Sequence, residues 1–335
     1  MTTLLLNRTG MIVSRVQVGG VFMRRLSSSV KEPLVLTSTE NRVRTITMND
    51  PTKLNGWTQN MLLSIQKEFN EAANDSSVDV VILTGKGKYY CAGVNLSAVL
   101  RPMHPQTLHD MIVKHNQEVF ESFLDFPKPL IAALNGPAIG ASVTTATLCD
   151  AMIMAEDATI LTPFARLGVP PEGCSSVHFA RTMGKASGTD GEALAQRMLG
   201  PEAWAPNGTE AVEIGLAHRV TPLSEVQSTA QALAEDWIEK GRLHRAISMP
   251  NSTPTTEKSK QAAEDQILEY KAVNAAESIA LGRAFLGPTF LQGQINFLTS
   301  KGKTQPALAF KALLALRPLW SKLLTKESDA VRFSK

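Results

Sequence analysis

Two apolar runs, each followed by a turn of small residues and a helical pattern, constrain the fold of this chain most strongly. The runs are Val78–Thr84 and Leu130–Leu134, and they carry few polar side chains. A strand that is apolar on both faces is typical of a parallel sheet covered by helices on both sides. The repeated strand–turn–helix order therefore predicts an α/β protein.

The rest of the chain extends this order. Strand-like runs at Leu34–Ser38 and Val43–Met48 precede a turn at Asn49-Asp50-Pro51, and Thr58 is a suitable cap for the helix that follows. The same periodicities predict further helices at about Pro105–Asp125, from the second small-residue turn to about Cys149, and at Thr209–Ile214, Leu223–Lys240 and Glu257–Leu281. They predict further strands at Ala151–Ala155 and Thr159–Leu161.

The net charge of the chain is +3, and its first 31 residues contribute five positive charges to it. Of the 335 residues 43% are hydrophobic and 19% charged, which fits a globular protein with a sizeable core. Residues 1–31 hold five bases and no acid, and the remainder has 29 bases against 31 acids. Such a leader is typical of a transit peptide, so we expect import into the mitochondrial matrix rather than a plastid or peroxisome. The alternative is a disordered tail without a targeting role, and the charge balance indicates no nucleic-acid partner.

Neither cysteines nor histidines form a pattern typical of a metal or cofactor site. The three cysteines lack CxxC spacing, and the six histidines lack an HExxH arrangement. His109 and His115 lie in a helical pattern, where packed or solvated histidines are commoner than ligands. We therefore expect no metal site, and we interpret the cysteines as small core residues.

A single carboxylate stands in a turn with unusual backbone constraints. Glu172 follows Pro170-Pro171 and precedes Gly173, so the prolines fix two φ angles and the glycine frees the next one. Apolar neighbours such as Leu167 and Val169 would raise its pKa by desolvation, which suits a group that carries protons. The alternative interpretation is an ordinary surface turn.

Two small-residue turns, each after a strand, are suited to close approach by a ligand. The first is Ala92-Gly93-Val94-Asn95-Leu96, and the second includes Gly140-Ala141-Ser142 at the start of a helix. Each turn can present a backbone N–H, and two such donors can form an oxyanion hole. The alternative is that the glycines only permit tight connections.

These motifs, with Asn135-Gly136 and Asp150-Ala151, together resemble the enoyl-CoA hydratase/isomerase (crotonase) superfamily across about residues 34–300. Leu161-Thr162-Pro163-Phe164, Pro171–Ser176 and Val273–Glu277 are more narrowly similar to its monofunctional Δ3,Δ2-enoyl-CoA isomerase branch. The resemblance implies a crotonase-like spiral of ββα repeats with a helical C-terminal trimerisation region. The domains expected from it are a transit peptide (1–31), the spiral core (32–208), a helical trimerisation and lid region (209–304) and a C-terminal extension (305–335).

The resemblance also implies roles for individual residues. Val94 and Ala141 would supply the oxyanion-hole N–H groups, Glu172 would be the single catalytic glutamate, and Ala92, Gly93, Asn95, Leu96 and Gly140 would contact an acyl-CoA substrate. Hydratases of the family use two glutamates at positions occupied here by Thr144 and Phe164. The implied reaction is therefore isomerisation of 3-enoyl-CoA to trans-2-enoyl-CoA in a homotrimer or a dimer of trimers. The implied reaction needs no cofactor, because CoA is part of the substrate. The alternatives are a hydratase or thioester hydrolase, or a catalytically silent acyl-CoA-binding protein.

The C-terminal extension has its own helical pattern. Pro306–Thr325 is predicted as one helix that is apolar on most faces, so something must cover it. Packing on its own domain or on a neighbouring subunit is the favoured interpretation, and contact of 306–325 with a membrane surface is the less favoured one.

Overall fold

The structure is a computed structural model that describes residues 32–95, 104–184, 188, 190–249 and 256–324, together with short strands in the first 22 residues. The chain divides into two compact units, Met1–Pro33 and Leu34–Lys335. The first unit holds two antiparallel strand pairs, Leu4–Leu6 with Ile12–Ser14 and Gln17–Val18 with Val21–Phe22.

The second unit is built on a six-stranded, mostly parallel sheet. Its strands are, in spatial order, Arg219–Thr221, Ala151–Ala155, Leu130–Leu134, Val80–Gly85, Val43–Met48 and Val35–Glu40. The last two strands form an antiparallel hairpin at one edge, and every other pair is parallel. A second, two-stranded parallel sheet pairs Ala138–Ile139 with Ile160–Leu161, and the second small-residue turn follows its first strand.

Helices connect and cover these strands. They span Gln59–Asn74, Pro105–Leu124, Ala141–Thr147, Phe164–Leu167, Ser175–Thr182, Gly191–Leu199, Gly208–Glu213, Val226–Glu239, Glu257–Phe285, Pro288–Ser300, Thr304–Ala315 and Arg317–Trp320. Short 3₁₀ turns occur at Pro51–Lys53, Leu223–Glu225 and Ser321–Leu323. The α/β prediction is confirmed, because the central strands are buried on both faces and the last third of the described chain is helical.

Several local predictions are also confirmed. The strands Val43–Met48, Leu130–Leu134 and Ala151–Ala155 have the predicted bounds. Thr58 caps the Gln59–Asn74 helix, and its Oγ1 accepts a hydrogen bond from the Met61 N–H at 3.2 Å. The three cysteines are unpaired and buried.

The prediction of one continuous helix over Pro306–Thr325 is wrong. The chain forms one helix at Thr304–Ala315 and a second, short one at Arg317–Trp320, with Leu316 between them. Pro318 explains the break, because proline has no N–H to donate and its ring clashes with the carbonyl four residues earlier. The helix predicted to reach about Cys149 ends at Thr147.

Two hydrophobic clusters stabilise the second unit. The larger one joins the sheet to the helices around it and includes Trp57, Phe120 and Trp237. The smaller one joins Phe285, Phe290 and their neighbours to the C-terminal helices. Across the described residues, no helix has the length and apolar character needed to cross a membrane.

Candidate active site

A cavity of about 130 Å³ opens where the two small-residue turns meet the Glu172 turn. Its lining residues are Ala92, Gly93, Val94, Ile139, Gly140, Ala141, Pro163, Phe164, Leu167, Val169, Glu172, Leu281 and Phe285. Six of the eight predicted site residues therefore lie on one cavity. Of the other two, Asn95 is exposed next to it, and Leu96 falls outside the described residues.

Direct backbone contacts hold the two turns against each other. Gly93 has φ +80°, and a Cβ at this position would lie 2.5 Å from the Ile139 carbonyl oxygen, so only glycine fits. The Ile139 N–H donates to the Cys91 carbonyl at 3.0 Å, and the Ser142 hydroxyl donates to the same carbonyl at 3.2 Å. The relative position of the turns is thus fixed by hydrogen bonds as well as by packing.

Several N–H groups of these turns already donate to acceptors within the protein. Gly93 donates to the Cys91 sulfur, Asn95 to the Trp57 carbonyl at 2.9 Å, and Gly140 to the Leu161 carbonyl at 2.8 Å. Among the residues that the structure describes, the N–H groups of Val94 and Ala141 donate to no protein atom. Both residues line the cavity, so an oxygen atom bound there could accept from both.

The carboxylate of Glu172 lies in the same cavity and is 9% exposed. Its Oε2 accepts a hydrogen bond from Asn116 Nδ2 at 2.7 Å, and Asn116 Oδ1 in turn accepts from the Ser278 hydroxyl at 2.7 Å. Burial raises the pKa of Glu172 to about 7, against the opposing effect of the Asn116 hydrogen bond. The charge of Glu277 raises this pKa further. A carboxyl group with a pKa near neutrality is well suited to accept and return a proton.

The turn that carries Glu172 is tightly constrained. A Cβ on Gly173, which has φ +66°, would overlap the Phe120 ring and lie 2.6 Å from Thr144 Oγ1. Cys174 has φ +64°, an unusual value for a residue other than glycine. The Glu277 carboxylate accepts hydrogen bonds from the N–H groups of Cys174 and Ser176 at 2.6 and 3.0 Å. These bonds offset the cost of the strained backbone and cap the Ser175–Thr182 helix.

A second, smaller cavity of about 60 Å³ is lined in part by the same residues. It shares Val94, Ala141, Glu172, Leu281 and Phe285 with the first. The remaining lining residues, from the Gln59–Asn74 and Pro105–Leu124 helices, are mostly apolar: Leu62, Ile112, His115, Asn116, Val119 and Phe120. Glu172, Val94 and Ala141 therefore line both the larger cavity and the smaller, mostly apolar one.

The sequence model of the family described as enoyl-CoA hydratase/isomerase matches residues 38–282. This chain belongs to that family. It is 34% identical over 277 residues to human enoyl-CoA delta isomerase 2, an alignment that covers 81% of this chain and 64% of the human protein. It is 39% identical over 206 residues to an uncharacterised protein of Caenorhabditis elegans, covering 61% of this chain and 76% of that one.

The enoyl-CoA hydratase/isomerase fold is also found by structural comparison. A crystal structure of an enoyl-CoA hydratase from Mycobacterium avium subsp. paratuberculosis superposes with a TM-score of 0.62. It is 20% identical in sequence, and the match covers 80% of this chain and 96% of that one. The resemblance inferred from the sequence motifs is thereby confirmed for the fold and the family.

The two positions at which hydratases of the family are expected to carry glutamates hold uncharged side chains here. Thr144 is fully buried, and its hydroxyl donates to the Ala141 carbonyl at 3.2 Å. Phe164 is buried and lines the larger cavity. Among the described residues that line this cavity, Glu172 has the only ionisable side chain. The described residues also include no group of three or more His, Cys, Asp or Glu side chains placed to hold a metal ion.

Sequence reasoning missed the residues that support Glu172. No sequence motif points to Asn116 or Ser278, and Glu277 enters only as part of the Val273–Glu277 family motif. A signal for Asn116 is present: it stands four residues after Ile112, beside the mostly apolar buried face of the Pro105–Leu124 helix, which also holds His109 and Gln117. A polar side chain at such a position needs a buried partner, but the sequence does not say which one.

Proposed function

We propose that this protein isomerises 3-enoyl-CoA thioesters to trans-2-enoyl-CoA thioesters. The observation that carries the proposal is a single buried carboxylate, Glu172, that shares a cavity with two unpaired backbone N–H groups. Moving a double bond next to a thioester needs one proton carrier and one site for a negatively charged oxygen. The cavity offers one of each. The similarity to human enoyl-CoA delta isomerase 2 supports the same reaction.

The chemistry follows from these groups. The ionised Glu172 carboxylate removes a proton from C2, and the electron pair moves onto the thioester oxygen to give an enolate. The N–H groups of Val94 and Ala141 stabilise this oxyanion. Protonated Glu172 then gives the proton to C4 as the electrons return, so the double bond moves from C3=C4 to C2=C3. No water is consumed, and no metal or redox cofactor takes part in the proposed steps.

The magnitude of each contribution can be estimated from other enzymes. A preorganised oxyanion-hole donor is worth roughly 10²–10³-fold in rate, so two such donors supply a large part of the acceleration. A positioned general base contributes roughly 10²–10⁴-fold. Because Glu172 has a pKa of about 7, a substantial fraction is ionised at neutral pH. The C2 proton is only weakly acidic, so its removal depends mainly on stabilisation of the enolate by the two N–H groups.

Product analysis tests the proposal. The purified protein is incubated separately with a 3-enoyl-CoA and a trans-2-enoyl-CoA, and the products are identified by mass spectrometry and ultraviolet absorption of the conjugated thioester. We expect the 3-enoyl substrate to give an isomer of unchanged mass with a conjugated double bond. A gain of one water would instead indicate a hydratase, free CoA a thioester hydrolase, and unchanged substrate an acyl-CoA-binding protein; each of these results would refute the isomerase.

Assembly and location belong to the same proposal. We infer a homotrimer, or a dimer of trimers, formed through the helical region 209–304, and import into the mitochondrial matrix through residues 1–31. Sedimentation equilibrium measures the mass of the assembly. A fluorescent reporter fused to residues 1–40 tests the import, and a diffuse cytosolic signal would contradict it.

A further inference from the structure

The two C-terminal helices expose an apolar surface that the other described residues leave uncovered. This outer face consists of the residues that point away from the smaller hydrophobic cluster on the Thr304–Ala315 and Arg317–Trp320 helices and at Leu316 between them: Leu308, Ala312, Ala315, Leu316 and Leu319. Leu308, Ala312 and Ala315 are four and three residues apart, which places them along one side of the first of these helices. Leu308, Leu316 and Leu319 are 56%, 54% and 71% exposed.

The opposite side of these helices fixes the outer face in place. Ala307, Phe310 and Trp320 are buried in the smaller cluster, against Phe285, Phe290 and Leu291. Arg317 Nε donates to the Leu286 carbonyl at 3.0 Å, and Trp320 Nε1 donates to the Leu313 carbonyl at 2.8 Å. The helices are therefore anchored, and their exposed leucines cannot be buried by a simple rotation of either helix.

The outer face stands in a strongly basic segment. Between Glu277 and Glu327 the sequence contains seven bases and no acid. Lys301, Lys303, Lys311 and Lys322 are exposed, and within the described part of the chain none of the four forms an ion pair. Lys311 lies one turn from Leu308 on the same helix. An exposed apolar side chain and an exposed positive charge thus lie next to each other on this helix.

We propose that the outer face binds the surface of an anionic lipid bilayer. The three exposed leucines would enter the boundary between headgroups and acyl chains, and the lysines would lie among the negatively charged headgroups. Charge complementarity decides between this occupant and a second copy of the chain. Two copies of the outer face packed against each other would bring Lys311 and Lys322 of one copy toward the same lysines of the other, which opposes association.

Flotation of the full-length protein with lipid vesicles tests the proposal. One set of vesicles contains phosphatidylcholine alone, and the other replaces about one third of it with phosphatidylserine to create a negative surface. We expect the protein to float with the anionic vesicles only. Raising the salt from about 0.1 M to about 0.5 M should release most of it, because salt screens the attraction. Equal recovery in the soluble fraction with both sets would overturn the proposal.

Matched variants separate this surface from general stickiness. Replacing Leu308, Leu316 and Leu319 by serine should reduce binding to anionic vesicles by roughly tenfold or more. The control replaces Leu63, Leu223 and Leu268, which are 55%, 61% and 70% exposed elsewhere, and should leave binding unchanged. Equal losses in both triple variants would refute the assignment.

Charge variants and the assembly state complete the test. Lys311→Glu with Lys322→Glu should weaken binding by roughly tenfold or more, whereas the two Lys→Arg changes should retain it, since only the charge matters at a lipid surface. The melting temperature of each variant reports whether it folds. If the leucine variant instead lowers the mass of the assembly in sedimentation and floats like the wild type, the outer face is a contact between copies, and the membrane proposal is wrong.

Discussion

Replacing Glu172 by glutamine is the most informative perturbation of the candidate site. Glutamine has nearly the same size, and its side-chain oxygen can still accept the hydrogen bond that Asn116 donates at 2.7 Å. The main-chain contacts of the turn, including the Ser175 hydroxyl bond to the Glu172 carbonyl at 2.7 Å, do not involve the carboxylate. The substitution therefore removes the proton carrier and leaves its surroundings in place.

Two effects of opposite sign are expected from Glu172→Gln. If Glu172 is the only base, kcat for a 3-enoyl-CoA falls by roughly 10²–10⁴-fold. The free energy of unfolding of the variant, in contrast, is expected to rise relative to the wild type above neutral pH. Burial raises the pKa of Glu172 from 4.5 to about 7, and this difference corresponds to about 3 kcal/mol. The folded wild type binds the proton more tightly than the unfolded chain, so it loses this stability as the pH rises from 4.5 through 7. The glutamine variant has no ionisable group at this position, so it does not lose this stability as the pH rises.

The assay combines kcat with chemical denaturation at pH 4.5 and pH 8. We expect the free energy of unfolding of the variant to exceed that of the wild type at pH 8, by up to about 3 kcal/mol, and to approach it at pH 4.5. Glu118→Gln is the control, because Glu118 is an exposed carboxylate on the helix that carries Asn116. A folded Glu172→Gln protein with undiminished kcat would refute the mechanism, and a variant destabilised at pH 8 would refute the argument from burial.

Three further predictions test the surroundings of the site. Asn116→Ala removes the hydrogen bond that lowers the pKa of Glu172, so the acidic limb of the kcat/KM profile should move above pH 7; an unmoved limb would contradict this role. Gly173→Ala should destabilise the fold by a few kcal/mol, because its Cβ would meet Phe120 and Thr144 at a positive φ; thermal unfolding at unchanged Tm would show that the turn can relax. Arg245→Met leaves the Asp150 carboxylate buried without its partner at 2.7 Å and should lower the free energy of unfolding by about 3–5 kcal/mol in denaturant titration, whereas a loss below about 1 kcal/mol would indicate that water replaces the guanidinium.

Local sequence patterns were sufficient for the strands and for the turns of the site. Leu130–Leu134 could be predicted because a strand buried on both faces is apolar at every position, and the Gly93 and Gly140 turns because small residues after strands allow close approach. The helix break at Leu316 had a signal too, in Pro318, which the apolar periodicity outweighed. These features depend on residues close in the chain, so a linear reading can find them.

The support of Glu172 could not be found in this way. Asn116 lies 56 residues before it, and Ser278 lies a further 162 residues from Asn116, yet hydrogen bonds join all three. Glu277 reaches back 103 residues to hold the Cys174 N–H. Which polar side chains meet in the core depends on how the Pro105–Leu124 and Glu257–Phe285 helices pack. The sequence by itself determined that a carboxylate is held in a constrained turn, and only the tertiary structure decided its pKa, because burial and distant partners set the cost of its charge.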